Sequence, residues 1–142
     1  MLRAYLDEVV GRYHGRAATK EELERALREA PSDDLVAPTG VLLVAREDDC
    51  VIGCVGVRVI DDDVGEVTRL FVARAARGAG LGERLVRAAE AHARERGLRE
   101  VRLATRHDLV EAQRLYMRLG YAETARFSDE PYVDRWFRKR LD

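Results

Sequence analysis

Lysine is almost absent from this chain of 142 residues. Of 25 cationic side chains only Lys20 and Lys139 are lysines, and the other 23 are arginines. Arginine is the side chain best suited to two-pronged contacts with carboxylate and phosphate, although codon bias alone explains such a preference. An excess of charge of either sign is also missing. Lys plus Arg balance Asp plus Glu to a net charge of −1, which argues against a dedicated nucleic-acid module, since those carry a clear basic excess. No apolar run approaches the ~18 residues of a membrane span; the longest are Gly40 to Ala45 and Val51 to Val57. Arg3, Asp7 and Glu8 interrupt the first ten residues, unlike the unbroken apolar segment of a secretory signal. Cysteine is scarce, with Cys50 and Cys54 four apart in an apolar stretch, and His14, His92 and His107 are scattered. That spacing predicts reduced core thiols rather than a disulfide or a metal site. The expectation is a soluble cytoplasmic protein with no metal, no nucleic acid and no membrane partner.

What is present fits one globular domain spanning residues 1–142, with 46% hydrophobic residues. Leu2, Tyr5, Leu6, Val9, Val10 and Tyr13 follow the spacing of an amphipathic helix. Thr19 with Glu22 forms a capping box ahead of Leu23, Ala26, Leu27 and Ala30, a second helix that stops at Pro31. After a turn-rich connection to Gly40, Val41–Arg46, Cys50–Ile60 and Glu66–Val72 read as strands separated by short acidic turns, an antiparallel meander. Leu81, Leu85, Val86, Ala89 and Ala93 then mark a long helix ending near Gly97, and Val101–Thr105 alternates as a strand. A β-α-β unit of this kind makes its two strands parallel. Asp108 with Glu111 reads as another capping box, opening a helix over Leu109, Ala112, Leu115, Tyr116 and Leu119 that Gly120 closes. A further strand begins at Tyr121, and the tail Tyr132–Leu141 suits a helix face as well as a strand.

The most informative segment is Arg77-Gly78-Ala79-Gly80-Leu81-Gly82-Glu83, between a strand and the long helix. Unpaired N–H groups at a helix start attract anions, and glycines let an anion approach that backbone closely. The loop therefore reads as a pyrophosphate cradle, or as a plain tight connection. Other phosphate motifs fit worse. The dinucleotide fingerprint needs glycine where Glu83 stands, and the Gly-Lys-Ser/Thr ending of a P-loop is absent. A dinucleotide-binding sheet would also carry its loop after the first strand.

The segment resembles the acetyl-CoA loop of the GCN5-related N-acetyltransferases, Arg/Gln-x-x-Gly-x-Gly/Ala, with Arg77, Gly80 and Gly82 in the pattern. The likeness extends through Leu70-Phe71-Val72 and Ala112-x-x-Leu115-Tyr116-x-x-x-Gly120-Tyr121. It implies an α/β fold: a strongly twisted mixed sheet with helices on both faces, in which the tail is a strand. Family members usually open with a strand, whereas this sequence starts inside the first helix, so the first strand is expected to be missing or to lie upstream. Leu109 stands where the family often has Asn.

The resemblance further implies an acetyl-CoA-dependent N-acetyltransferase in which an amine attacks the bound thioester directly. Pantetheine would lie along Glu66–Val72, in a gap opening toward Val101–Thr105. The backbone at Leu70, Phe71 and Val72 would face the thioester, and the loop from Arg77 through Gly78, Ala79, Gly80, Leu81, Gly82 and Glu83 would hold the pyrophosphate. Tyr116 takes the family's tyrosine position and is the candidate general acid, although it equally suits a core tyrosine on the face formed by 109, 112, 116 and 119. Glu66 is the leading base, with a solvated turn residue as the alternative; His107 is a second candidate base or an ordinary loop histidine. Asp61, Asp62 and Asp63 would concentrate a cationic amine or merely solvate a hairpin tip. The loop Phe127–Tyr132 would wall the acceptor site. Expected partners are a small-molecule or peptide amine and, at most, a second copy of the chain as a homodimer. The rival functions are a non-catalytic acyl-CoA-binding or sensing domain and, more distantly, an anion-binding interaction domain.

Overall fold

A computed structural model describes residues 19–22 and 34–142 of the chain. Thr19 and Glu22 form the expected reciprocal cap: the Thr19 amide donates to Glu22 Oε1 at 2.9 Å and the Glu22 amide to Thr19 Oγ1 at 3.1 Å. The amphipathic run Leu2–Tyr13, the stripe Leu23–Ala30 and the expectation of a missing first strand fall outside the described residues, as does helical cover on the second face of the sheet.

The three β-rich runs form the expected meander: β1 (Gly40–Glu47), β2 (Cys50–Val59) and β3 (Val64–Val72), paired antiparallel in that order. Its second turn is braced by Asp61, whose Oδ1 accepts from the amides of Asp63 and Val64, a common use of a short acidic side chain in a turn. The chain then passes through a single turn at Arg74–Ala76 into helix α1 (Leu81–Glu95) and returns as β4 (Glu100–Thr105), parallel to β3. Helix α2 (Val110–Arg118) follows, then the short β5 (Ala122–Glu123) and β6 (Arg135–Arg140). The sheet order is β1-β2-β3-β4-β6-β5. The ambiguous tail is therefore a strand, its six-residue pairing with β4 outweighing the helical spacing of Val133, Trp136 and Phe137.

Both described helices share one core. Leu85, Val86, Ala89 and Ala93 of α1 and Leu115, Tyr116 and Leu119 of α2 join Val55, Val57, Val67, Val101, Leu103 and Phe137 of the sheet. Within it Glu90 of α1 is a buried carboxylate, and it is fully engaged. The Tyr121 hydroxyl donates to its Oε2 at 2.8 Å and Lys139 Nζ to its Oε1 at 3.0 Å. Burial and the neighbouring Glu90 charge hold the Tyr121 phenol above its ordinary pKa. The trio ties α1 to the end of α2 and to β6, because a buried carboxylate is tolerated only when donors surround it.

Helix α2 starts differently from expectation. Its N-cap is Leu109, with no side-chain cap, while Asp108 turns back to accept from Arg106 Nε at 3.2 Å. Asp108 thus precedes the N-cap instead of occupying it. Gln113 Nε2 braces this start, donating to the Arg106 carbonyl at 2.7 Å. The closing glycine is as expected, Gly120 taking φ +97°.

Two irregularities of β3 position the site. First, the register with β2 slips by one residue between the pairs Gly56–Thr68 and Cys54–Phe71, and Arg69 occupies the extra position at φ +56°. A left-handed arginine costs on the order of 1 kcal/mol. Cys54 Sγ donates to the Arg69 carbonyl at 3.2 Å, and burial pushes that thiol up to about 11. A bulge inverts the alternation of side chains along a strand. Glu66 and Thr68 thus face away from α1, while Leu70 and Val72 join the helix-side core. Secondly, the ladder between β3 and β4 has only three rungs, ending at Glu66–Arg102. Beyond that pair the strands part.

Candidate active site

Where β3 and β4 separate, the helix side of the sheet opens into a cavity of about 430 Å³. Its walls are the end of β3 (Leu70, Phe71, Val72), the glycine loop and the start of α2, with Leu109, Ala112 and Leu115. Ala73 N–H donates to Ile52 on β2. Strand alternation therefore turns the N–H groups of Leu70 and Val72 toward the gap. These are donors of the kind that stabilise an oxyanion.

The glycine loop forms the other end. Gly80 is the N-cap of α1 at φ +80°, a conformation that side-chain-bearing residues seldom adopt, and no side chain caps the helix. The first amides of a 15-residue helix thus remain available to an anion, and the helix dipole favours one there. Gly82 serves another purpose: a Cβ there would lie 3.3 Å from Leu115 Cδ2, so its absence lets α1 close against α2. Of the seven loop residues, Arg77, Gly78, Gly80, Leu81 and Gly82 line the cavity, while Ala79 and Glu83 do not. Glu83 instead bonds with Arg87 at 3.4 Å and Arg118 at 3.5 Å. The Arg77 side chain folds back, donating from Nε to the Val72 carbonyl at 2.9 Å with its guanidinium over the Phe71 ring. It therefore shapes the wall between strand end and loop.

Glu66 is far from a solvated turn residue. It stands at the vertex of the gap, 4% exposed, with Arg58 Nη1 at 3.8 Å and Arg102 Nη2 at 3.9 Å from its Oε2. Burial, reinforced by the Glu130 carboxylate, raises its pKa against the pull of Arg102, Arg58 and Arg69. A carboxyl so placed ionises closer to neutrality, as a base for an ammonium requires. The loop after β5 crosses over it: Phe127 lies 4.2 Å beneath the Arg102 guanidinium and Glu130 3.9 Å from Arg58. The segment expected to wall the acceptor site does cover this carboxylate.

Tyr116 lies in the shared core, its ring 5.8 Å from that of Tyr121 and 6.3 Å from Phe137, one residue beyond the cavity-lining Leu115. His107 is on the flank of β4 away from β3. Its Nδ1 bonds Asp134 Oδ2 at 2.5 Å and its amide donates to Asp134 Oδ1 at 2.8 Å. Desolvation opposes ionisation of Asp134, but these His107 bonds outweigh it and hold the carboxyl below its usual range. The acidic trio Asp61–Asp63 is brought nowhere near the cavity. It precedes the start of β3 and anchors β4, the Asp63 carbonyl accepting from the amides of Arg99 and Glu100, whereas the cavity lies at the other end of β3. Asp61 and Asp63 thus also have structural work, in the turn and at the start of β4.

Sequence reasoning overlooked Arg58 and Arg102. Their proximity to Glu66 is a matter of strand register, Arg58 opposite Glu66 on β2 and Arg102 on β4. Among the described residues no group of three or more side chains has the arrangement of a metal site, and no helix is long and apolar enough to cross a membrane.

A V-shaped gap beside an uncapped helix start is the geometry to set against known proteins. A profile of the acetyltransferase (GNAT) family matches residues 5–121, and the chain belongs to that family. It is an acetyl-CoA-dependent N-acetyltransferase. An IAA acetyltransferase of Azospirillum brasilense is 37% identical over 125 residues, covering 79% of this chain and 78% of that protein. A mycothiol acetyltransferase of Actinosynnema mirum is 35% identical over 96 residues, covering 68% of this chain, which spans about a third (32%) of that relative. Among solved structures, the PaiA N-acetyltransferase of Thermoplasma acidophilum, in complex with coenzyme A, superposes with a TM-score of 0.74. It is 20% identical and the match covers 98% of this chain and 92% of that one.

Proposed function

We propose that the chain transfers the acetyl group of acetyl-CoA to a primary amine by direct attack, with the pyrophosphate at Gly78–Gly82 and the thioester beside Leu70–Val72. The observation that carries this reading is the ladder ending at Glu66–Arg102, which leaves a buried carboxyl of raised pKa where the strands begin to part, on the sheet face opposite the cavity. Glu66 accepts a proton from the ammonium, directly or through water, and the neutral amine attacks. As the new C–N bond forms and the C–S bond breaks, Tyr116 protonates the departing thiolate and the nitrogen gives its second proton to solvent. Glu66 then returns its proton to solvent and Tyr116 regains one, so the whole reaction releases one proton. The N–H groups of Leu70 and Val72 hold the carbonyl oxygen while it bears charge.

Two free cysteines, Cys50 exposed and Cys54 buried, fit work in the reducing cytoplasm. The reading allows a homodimer and calls for neither nucleic acid nor membrane. Titration calorimetry with acetyl-CoA tests it first, and absence of heat at high micromolar concentration overturns it. Thiol release across small amines and lysine peptides then separates an enzyme from a sensing domain, which would bind without turnover.

A further inference from the structure

We infer that the acceptor is an amine carrying a carboxylate on the same or the neighbouring carbon, and that Arg102 selects it. The inference rests on the acetyl-transfer reading and concerns the identity of the substrate. Arg58, Glu66 and Arg102 form one row across β2, β3 and β4. The neighbours of Arg102 on its strand, Val101 and Leu103, point into the helix-side core, so Arg102 shares the opposite face with Glu66.

The two arginines of the row differ. Arg58 has three carboxylates around it, those of Asp34, Glu66 and Glu130. Arg102 has one among the described residues, Glu66, and at 3.9 Å that contact is longer than a hydrogen bond. One face of its guanidinium lies on the Phe127 ring, and its Nε is buried with no hydrogen-bond partner among the described residues. An unmade bond at a buried charged donor is costly, and Phe127 holds the group in place nonetheless. Nε and Nη2 form the edge by which a guanidinium grips a carboxylate with two parallel bonds. Nη2 of that edge is the atom that faces Glu66, so the edge lies beside the base.

Proton movement sharpens the requirement. When Glu66 takes the proton of the amine it becomes neutral, and Arg102 loses its only carboxylate partner among the described residues. A substrate carboxylate reaching the partly exposed side chain of Arg102 replaces the lost charge. An ammonium meeting Glu66 and a carboxylate meeting Arg102 need span only the 3.9 Å between these two groups, which neighbouring carbons in an amino acid provide. A simple alkylamine or a lysine side chain offers the first contact without the second.

Steady-state thiol release on the full chain, with matched pairs, tests this: glycine against glycinamide, β-alanine against its amide, phenylalanine against phenethylamine. A preference of about 100-fold or more in kcat/KM for the carboxylate member is expected, since a site built to bond a polar group rejects an analogue lacking it. Arg102→Gln should remove most of that preference and Arg102→Lys should retain part, while acetyl-CoA affinity by calorimetry is unchanged in both. If the glutamine variant fails to fold by circular dichroism, the lysine variant decides. Equal or better use of the uncharged members, or an equal loss for both members in the variants, overturns the inference and leaves acetyl transfer standing. If acetyl-CoA binds but no pair is turned over, calorimetry of N-acetylglycine against N-acetylglycinamide on the coenzyme A complex decides on the same preference. Failure to bind acetyl-CoA overturns the underlying reading instead.

Discussion

The two halves of β3 present opposite solutions along nine residues of chain. From Val64 to Glu66 the strand is laddered on both sides and ends in a buried carboxyl between arginines; from Leu70 to Val72 it is laddered on one side and borders a cavity. Arg69 separates the halves, and its left-handed backbone rotates the second half so that Leu70 and Val72 face the helices. A regular strand would place Glu66, Leu70 and Val72 on one face. With the bulge, one strand presents a proton acceptor to one side of the sheet and an apolar wall with free amides to the other. Two substrates that must meet at a point can then approach from different faces.

The comparison breaks most severely at the open half. Gly80→Asp, which adds bulk and negative charge at a left-handed position beside uncapped amides, should weaken acetyl-CoA binding by about 100-fold or more in titration calorimetry, equivalent to about 3 kcal/mol. The closed half is broken by Glu66→Gln. Loss of a general base lowers kcat by roughly 100-fold or more and should leave acetyl-CoA affinity near its original value. Its pH profile is the sharper reading. The raised pKa of Glu66 predicts that activity falls as pH drops through a value above the ordinary carboxyl range, and the variant should lose that limb. Tyr116→Phe should slow turnover by about 10-fold or more while cofactor affinity holds; an unchanged rate would leave Tyr116 as a core residue only. Tyr121→Phe removes a donor from buried Glu90 and should cost about 1–3 kcal/mol in denaturant unfolding. Asp134→Asn should cost at most about 1 kcal/mol, because the pair with His107 is exposed. Its sign follows from the lowered pKa: the contribution is present above the unfolded pKa and is lost as pH falls through the folded one.

Features that depend on local sequence were legible before any coordinates. The meander, α1, the crossover to β4 and the closing Gly120 follow from periodicity and glycine placement, and the uncapped start of α1 from its glycines. Where a distant residue decides, the pattern was silent or misleading. Nothing in Thr68-Arg69-Leu70 announces a bulge, since the left-handed residue is an arginine. Asp108 satisfied the capping pattern, yet the helix is capped one residue later, at Leu109. Arg58 and Arg102 read as ordinary strand cations until register set them on either side of Glu66. The Asp61–Asp63 trio read as a cluster of charge, and only the fold shows Asp61 bracing its turn and the Asp63 carbonyl holding the start of β4.

The bulge also equips the molecule with an internal clock. Cys50 is exposed, whereas the Cys54 thiol is buried, donates to the carbonyl of the bulged residue and is held near 11. A thiol reagent applied to native protein should therefore modify one cysteine quickly and the second only as fast as the middle of β3 comes apart. The lag between the two reactions measures how often the strand that separates the substrates lets go, and a bound cofactor that braces Leu70–Val72 should lengthen it.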